Sequence, residues 1–541
     1  MNTKLFTRGL ALFFRVITSR PVLSPKLIPS SLVLLLLFSG CTKRFDSINQ
    51  NPNSPQEVSS VQLLLPAIIK NSVRNNYSYI SQFGASVCGD YYTDQYTSQF
   101  SDAWVASQTE GMFLWNFFNQ LKDVENYRLL SIQKGLKNTE GVGLILRCWM
   151  FQVMTDNFGD MPYTQALQGK TTGNFAPVYD SQETIYYALI DSLKNANTLL
   201  TNGADPINSD ILMGGSAMRW REFANGLRLR LLMRMSGVAN AKINVATEIN
   251  TMATDPATYP LFTSNADQAA LEFTNEQGNE FPAYENPPIG DYHLSTTFET
   301  NLKHLHDPRI AYFAMPTPAS YGSGNPQYAG VPNCIGTIES SYNGGSNFQS
   351  QESPVLMPHL GYPLYASMTA AQGLLLTYSE VQFILAEAKE RGMITGGADA
   401  ATYYMNGIKD QFSYDSSRLA VLNEGISAND HHFAKPADIM PDPSYFTGDS
   451  VAYTGSTDYK LYKIRLQRWM SMFYTGFEGW SEWRRTGVPA EIQVRSNSSI
   501  PAWPRRARYP LSEQTINSTN YNNQVKAMGV DDLLTRVWWN K

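Results

Sequence analysis

The sequence predicts a mainly α-helical protein. Tetratricopeptide-like helix pairs form a scaffold, which carries a large face rich in loops and aromatic residues. Three observations predict this. Apolar residues recur at helical spacing in several long blocks. Short breakers separate consecutive blocks, which favours antiparallel helix pairs. Residues 252–360 and 425–460 break the helical pattern and are rich in Pro, Gly, Asn, Ser, Thr and Tyr. No repeat of fixed period is present, so the likeness to tetratricopeptide arrays lies in helix pairing alone.

The chain begins with a targeting segment, residues 1–40. Lys4, Arg8, Arg15, Arg20 and Lys26 precede an apolar run, Leu32 to Phe38. That run has the length of a signal-peptide core and falls far short of the ~20 residues of a membrane span. Ser39 and Gly40 then precede Cys41, and small residues before a Cys resemble the bacterial lipobox. Phe38 stands where the lipobox prefers Leu. An ordinary secreted protein or a short membrane anchor are the alternatives. Lipid on Cys41 would act as a tether, because each buried methylene contributes ~0.8 kcal/mol. Residues 41–55 are polar and suit an extended leader, Thr42-Lys43-Arg44 to Asn51-Pro52-Asn53.

Residues 56–541 read as one large helical domain. Aromatic residues make up 12% and charged residues only 16%, which argues against disorder. A net charge of -5 leaves no electrostatic footprint for nucleic acid. Cys88, Cys148 and Cys334 are odd in number and irregular in spacing, so buried free thiols are expected.

The helices follow in order. Gly141 to Asn157 carries Ile145, Trp149 and Val153 on one stripe, and Gly159 and Pro162 stop it. Asp180 and Glu183 are spaced like a capping box for the next helix, with Ile185, Leu189 and Leu193 inward. Ser216 to Met235 places Trp220, Phe223, Leu227 and Leu231 inward, and Arg228, Arg230 and Arg234 near the C-terminal end, where cations suit the dipole. Thr377 and Glu380 open a helix with Val381, Ile384, Leu385 and Ala388 on one side. Gly392 is placed to end it, and Asp399 to Phe412 returns as its partner. Lys463 to Phe473 is a further helix.

Catalytic signatures are missing. There is no His-Glu-x-x-His zinc motif and no Gly-x-Ser-x-Gly elbow. Gly169-Lys170-Thr171 resembles the end of a phosphate loop, but Thr164 replaces its first Gly. His304, His306 and Asp307, or Asp430, His431 and His432, lack the spacing of a known metal site. Glu478 and Glu482 lie one turn apart beside Arg484 and Arg485, and ion pairs in a packed corner are expected there. Oxygen-rich loops can take calcium, yet no loop has recognisable ligand spacing, so no cofactor is expected.

A series of motifs runs along the chain: Phe45 to Asn53, Asp156-Asn157-Phe158-Gly159-Asp160-Met161-Pro162-Tyr163, Trp220 to Arg230, Asp307-Pro308-Arg309, Glu380 to Ala388, Gln467-Arg468-Trp469, Glu478-Gly479-Trp480, Arg484 to Gly487, Tyr509-Pro510 and Trp538-Trp539. In this order they resemble the SusD/RagB family of nutrient-binding outer-membrane lipoproteins, in its SusD-like branch. Gly226 replaces the family's usual Ser. The resemblance implies a binding protein without catalysis, anchored at the outer membrane with its domain outside the cell. It implies a SusC-like, TonB-dependent transporter as partner and oligosaccharide as ligand. A peptide ligand, a lipid-anchored glycoside hydrolase and a gate without a receptor role are the competing readings. Sugar C–H faces stack on rings while amides and carboxylates bind the hydroxyls. Two segments offer that mixture as ligand contacts: Tyr91, Tyr92, Tyr96 and Trp104, then Tyr284, Asn286 and Tyr292 with Tyr321 and Tyr328 beyond.

Overall fold

The computed structural model describes residues 60–94, 104, 114–282, 292–320, 323–334, 345, 348–350, 369–424, 434–494 and 498–541. The lipobox, Cys41 and the leader lie outside the described residues. Residues 61–541 form one compact unit.

Its helices are α1 (Leu65–Asn76), α2 (Tyr79–Cys88), α3 (Phe117–Lys134), α4 (Lys137–Phe158), α5 (Gly169–Thr172), α6 (Gln182–Asn202), α7 (Ala217–Arg234), α8 (Val245–Thr254), α9 (Thr296–His304), α10 (Ile310–Phe313), α11 (Tyr378–Glu390), α12 (Ala400–Glu424), α13 (Thr457–Ser471), α14 (Glu478–Thr486), α15 (Leu511–Ile516) and α16 (Ser518–Met528). Two small antiparallel sheets accompany them. β1 (Tyr92–Asp94) pairs with β3 (Tyr292–Leu294), and β2 (Ala269–Glu272) pairs with β4 (Gln372–Leu376). Consecutive helices pack as α3 on α4, α6 on α7 and α11 on α12, the last being the pair named from the sequence. Among the described residues no helix is long and apolar enough to cross a membrane.

Thr377 caps α11 as read, and Ser216 caps α7 where the sequence starts that helix. Ser216 and Thr377 each accept a backbone N–H, from Arg219 and Glu380. One start is corrected. Ser181, not Asp180, caps α6, and Asp180 instead accepts the N–H groups of Tyr163 and Thr164. Cys88, Cys148 and Cys334 are buried and form no disulfide with one another, as expected.

The arginines of α7 stand near its C-terminal end, as read, but that end is buried. Arg230 and Arg234 are buried completely, within a helix that is itself buried on every side. A buried charge must be paired, and these are. Arg230 meets Glu380 of α11 at 2.6 Å and Glu478 of α14 at 3.4 Å. Arg234 meets Glu478 at 2.5 Å and also Asp156 of α4. Asp156 accepts further bonds from Gln152, Tyr186 and, at 2.9 Å, from Trp539 near the C-terminus. The network continues through Arg468 to Glu380 and Glu482, and through Arg485 to Glu482 and Glu387. The expected ion pairs of Glu478 and Glu482 are therefore present, but their partners come from distant helices as well as from α14. Arg484 takes another role: it lies 3.8 Å from the Trp480 ring centre and donates to the Asp156 carbonyl.

Burial alone would raise the Glu478 carboxyl, but Arg230 and Arg234 outweigh it and hold it at about 2, below its ordinary 4.5. Arg485 likewise holds Glu387 below the usual carboxylate range against burial. A depressed carboxylate contributes its stability above the unfolded value and loses it as pH falls. Denaturant melts are therefore expected to show full stability above about pH 4.5 and a loss on the order of 3 kcal/mol for Glu478 as pH falls to about 2. A flat profile across that window, or an unchanged one in Glu478→Gln, would refute the assignment.

Candidate ligand cleft on the loop face

Tyr91, Tyr92 and Tyr292 lie in or beside the β1–β3 sheet, and all three are buried. The Tyr91 ring stacks on Trp469 at 4.6 Å, and its hydroxyl donates to the Trp469 carbonyl at 2.5 Å. Gly479 makes room for it: a Cβ there would lie 2.1 Å from the Tyr91 hydroxyl. Tyr92 donates to the Phe313 carbonyl at 2.9 Å. Trp104 is only 2% exposed and meets Trp503 edge to face at 5.2 Å. These four rings are the floor of the loop face in this structure, with no ring face open for a sugar. The hydroxyls of Tyr91 and Tyr92 satisfy buried carbonyls, and all four rings belong to the core. In β3, burial pushes His293 down to about 4, against a hydrogen bond to the Ser350 backbone that raises it, so the imidazole is neutral at pH 7.

Tyr328 is half-buried, and its carbonyl accepts from Lys303 at 2.9 Å. Tyr96, Tyr284, Asn286 and Tyr321 lie outside the described residues.

The two irregular stretches meet at one place. Leu305, His306 and Pro308 from the first face Met440, Pro441, Asp442, Tyr445 and Gly448 to Val451 from the second, across an open cleft of about 510 Å³. The Asp307-Pro308-Arg309 motif builds its wall. Asp307 takes both ends of the Arg309 guanidinium, at 3.0 and 2.6 Å, and accepts the Tyr445 hydroxyl at 3.0 Å. Arg309 also lies 4.0 Å from the Phe412 ring centre, which fixes the turn on α12. Asp307 is thus engaged by Arg309 and Tyr445, and His304 shares a hydrogen bond of 3.2 Å with Ser450. Among the described residues no group of three metal-ligating side chains gathers. Asp430, His431 and His432 lie outside them.

Chemically, the cleft offers exposed Met440 and half-buried Pro441 as apolar surface beside Asp442, Asp449, Ser450 and His306 as hydrogen-bonding groups. That mixture suits a ligand with apolar faces and polar edges. Sequence reading singled out the two stretches but missed these residues. Pro441-Asp442-Pro443 was the available signal, a rigid turn within an otherwise polar run.

Trp104→Ala is expected to lower stability by about 3–5 kcal/mol through the cavity it leaves, read as a denaturant midpoint. A variant that keeps its stability yet loses ligand binding would make Trp104 a contact residue after all.

The comparisons bear on the whole architecture. A family model described as starch-binding, associating with outer membrane, matches residues 52–510. Among curated proteins there is no match. A SusD homolog from Bacteroides fragilis NCTC 9343 is 24% identical, with a TM-score of 0.73 over 90% of this chain and 100% of its own. An outer membrane protein from Bacteroides vulgatus ATCC 8482, linked by its name to nutrient binding, is 25% identical, with a TM-score of 0.73 over 89% of this chain and 100% of its own. A chitin-binding protein is 24% identical, with a TM-score of 0.72 over the same shares, 89% and 100%. The neighbours share the fold, the family model covers most of the chain, and the chain belongs to the family it describes, the SusD-like family of starch-binding, outer-membrane-associated proteins.

Proposed function

We propose that this chain is a lipid-anchored surface protein that captures oligosaccharide and passes it to a SusC-like, TonB-dependent transporter. The observation that carries the reading is the family match over residues 52–510, whose description names both starch binding and the outer membrane. The cleft between 305–308 and 440–451 supports it as a place for a polar, flexible ligand. The role is capture without turnover, and no cofactor takes part in it. Lipid on Cys41 and the polar leader after it would hold the domain at the membrane. The sequence of events is then binding on the loop face, closure over the transporter and release into it.

Purified full-length chain, kept in a non-glycosidic detergent, is expected to bind at least one glycan in a broad polysaccharide panel. The double variant Asp442→Ala, Asp449→Ala is expected to bind it about tenfold more weakly. Binding to a peptide mixture with none to glycans would replace the substrate class. Release of reducing sugar by the purified chain would overturn the non-catalytic reading. Cys41→Ser is expected to move the protein from the membrane fraction to the soluble fraction; a variant that stays in the membrane would remove the lipid anchor from the proposal.

A further inference from the structure

A second opening lies on the helical side and shares no residue with the cleft. It is a groove of about 670 Å³ between α3 and the loop from Pro162 to Pro177. Trp115 and Phe118 form its floor, both half-buried. Phe175 stands on its rim at 76% exposure, which makes it the most exposed large apolar side chain among the described residues. A lone exposed ring needs no explanation in itself. The way this ring is held does.

One face of Phe175 lies against Gly169, where a Cβ would approach the ring to 2.7 Å. The other face is left to solvent. The loop beneath it is pinned from both sides. Asn174 donates to Gln165 at 3.1 Å and accepts from the Ala176 N–H at 3.2 Å. From α16 and the residue before it, Asn520 donates to the Ala176 carbonyl and Asn517 to the Pro177 carbonyl, each at 2.9 Å. Leu167, in the same wall, has φ of 64°, a left-handed conformation that costs an apolar side chain energy. Strain of this kind persists where the surroundings hold a site in shape. Trp115 is fixed as well, edge to face on Phe158 at 5.0 Å and on Phe118 at 5.2 Å.

We infer that this groove is a second carbohydrate-binding site, in which a pyranose stacks its C–H face on Phe175 above the Trp115 floor. Asn119 and Asn126 on the exposed side of α3 supply amides for the hydroxyls, and Lys122 and Lys170 add amines that also admit a uronic acid. The two acids in the groove are already engaged: Glu125 by Arg128 and Arg147, Glu513 by the Tyr179 hydroxyl. An extended peptide is the poorer fit. It would need unpaired backbone along one wall, whereas α3 is a helix and the carbonyls of Ala176 and Pro177 are taken. The ligand class rests on the nutrient-binding reading, but the residues are separate from the cleft.

The test uses full-length chain labelled with 5-fluorotryptophan in a non-glycosidic detergent. Its Trp115 resonance is assigned with Trp115→Phe. The probes are maltoheptaose, chitohexaose, an oligogalacturonide and a mixed peptide pool. At least one oligosaccharide is expected to shift the Trp115 signal saturably, and Phe175→Ala is expected to weaken that response about tenfold or more while melting with wild type. Phe175→Ala is expected to leave binding at the cleft unchanged. A Trp115 signal that no oligosaccharide moves, while the chain binds one elsewhere, overturns this site and spares the general reading. A signal moved by the peptides alone, or moved equally in Phe175→Ala, also overturns it. No binding of any sugar by any readout overturns both.

Discussion

The buried charge network around Arg230, Arg234 and Asp156 is the constraint on which the rest of the fold depends. Five helices, α4, α7, α11, α13 and α14, each contribute at least one ionised group to it. Each group was taken out of water at a cost of several kcal/mol. The cost is recovered only when all partners arrive in register, because one missing carboxylate leaves a buried guanidinium unpaired. The penalty for a wrong helix pairing is therefore large and specific. An apolar core of the same volume would tolerate sliding of one helix on another. This one does not, since Arg230 reaches Glu380 and Glu478 at once.

That constraint explains the family motifs better than any ligand does. Asp156 gathers a tyrosine, a tryptophan, an amide and an arginine. Asp160, four residues on, accepts from Gln182 and Gln524. The Tyr509 hydroxyl meets the Asp160 carbonyl. The turn after α4 is thus tied to α6, to α16 and to the segment before α15. The C-terminal Trp538-Trp539 closes the same structure, with the Trp538 N–H on Gln182 and the Trp539 indole on Asp156. Motifs spread over the chain are one packed object.

Local physics was legible in the sequence and long-range pairing was not. Several helix positions followed from apolar spacing, and the start of α11 from its Thr377 cap, because both depend on residues close in sequence. The arginines of α7 were placed near the helix end, as they are, but their partners were out of reach for the same reason. A helix-dipole argument sees only its own helix, and Glu380 lies 150 residues from Arg230. The burial of Tyr91, Tyr92, Trp104 and Tyr292 was not legible, because alternation of rings with polar residues looks alike in two cases. In one the rings face solvent. In the other, as with Tyr91, the hydroxyl pairs with a carbonyl 378 residues away. The cleft and the groove each join segments distant in sequence, so neither was visible as a unit. Phe175 did leave a trace: a single ring in the run Gly173-Asn174-Phe175-Ala176-Pro177, where a turn needs no ring at all.

A rigid scaffold changes what an exposed ring can do. A ring on a free loop loses rotamer and backbone freedom when a ligand stacks on it, and binding is weakened by that ordering, at ~0.5–1.5 kcal/mol per immobilised side chain. Phe175 has much of its freedom removed beforehand by Gly169 beneath it and the Asn517 and Asn520 bonds behind it. Those bonds come from helices seated against the Asp160 turn, which is seated in turn against the buried network. The ordering was done by folding. The same charges that fix helix register far inside the protein therefore also fix the geometry of a ring at its surface.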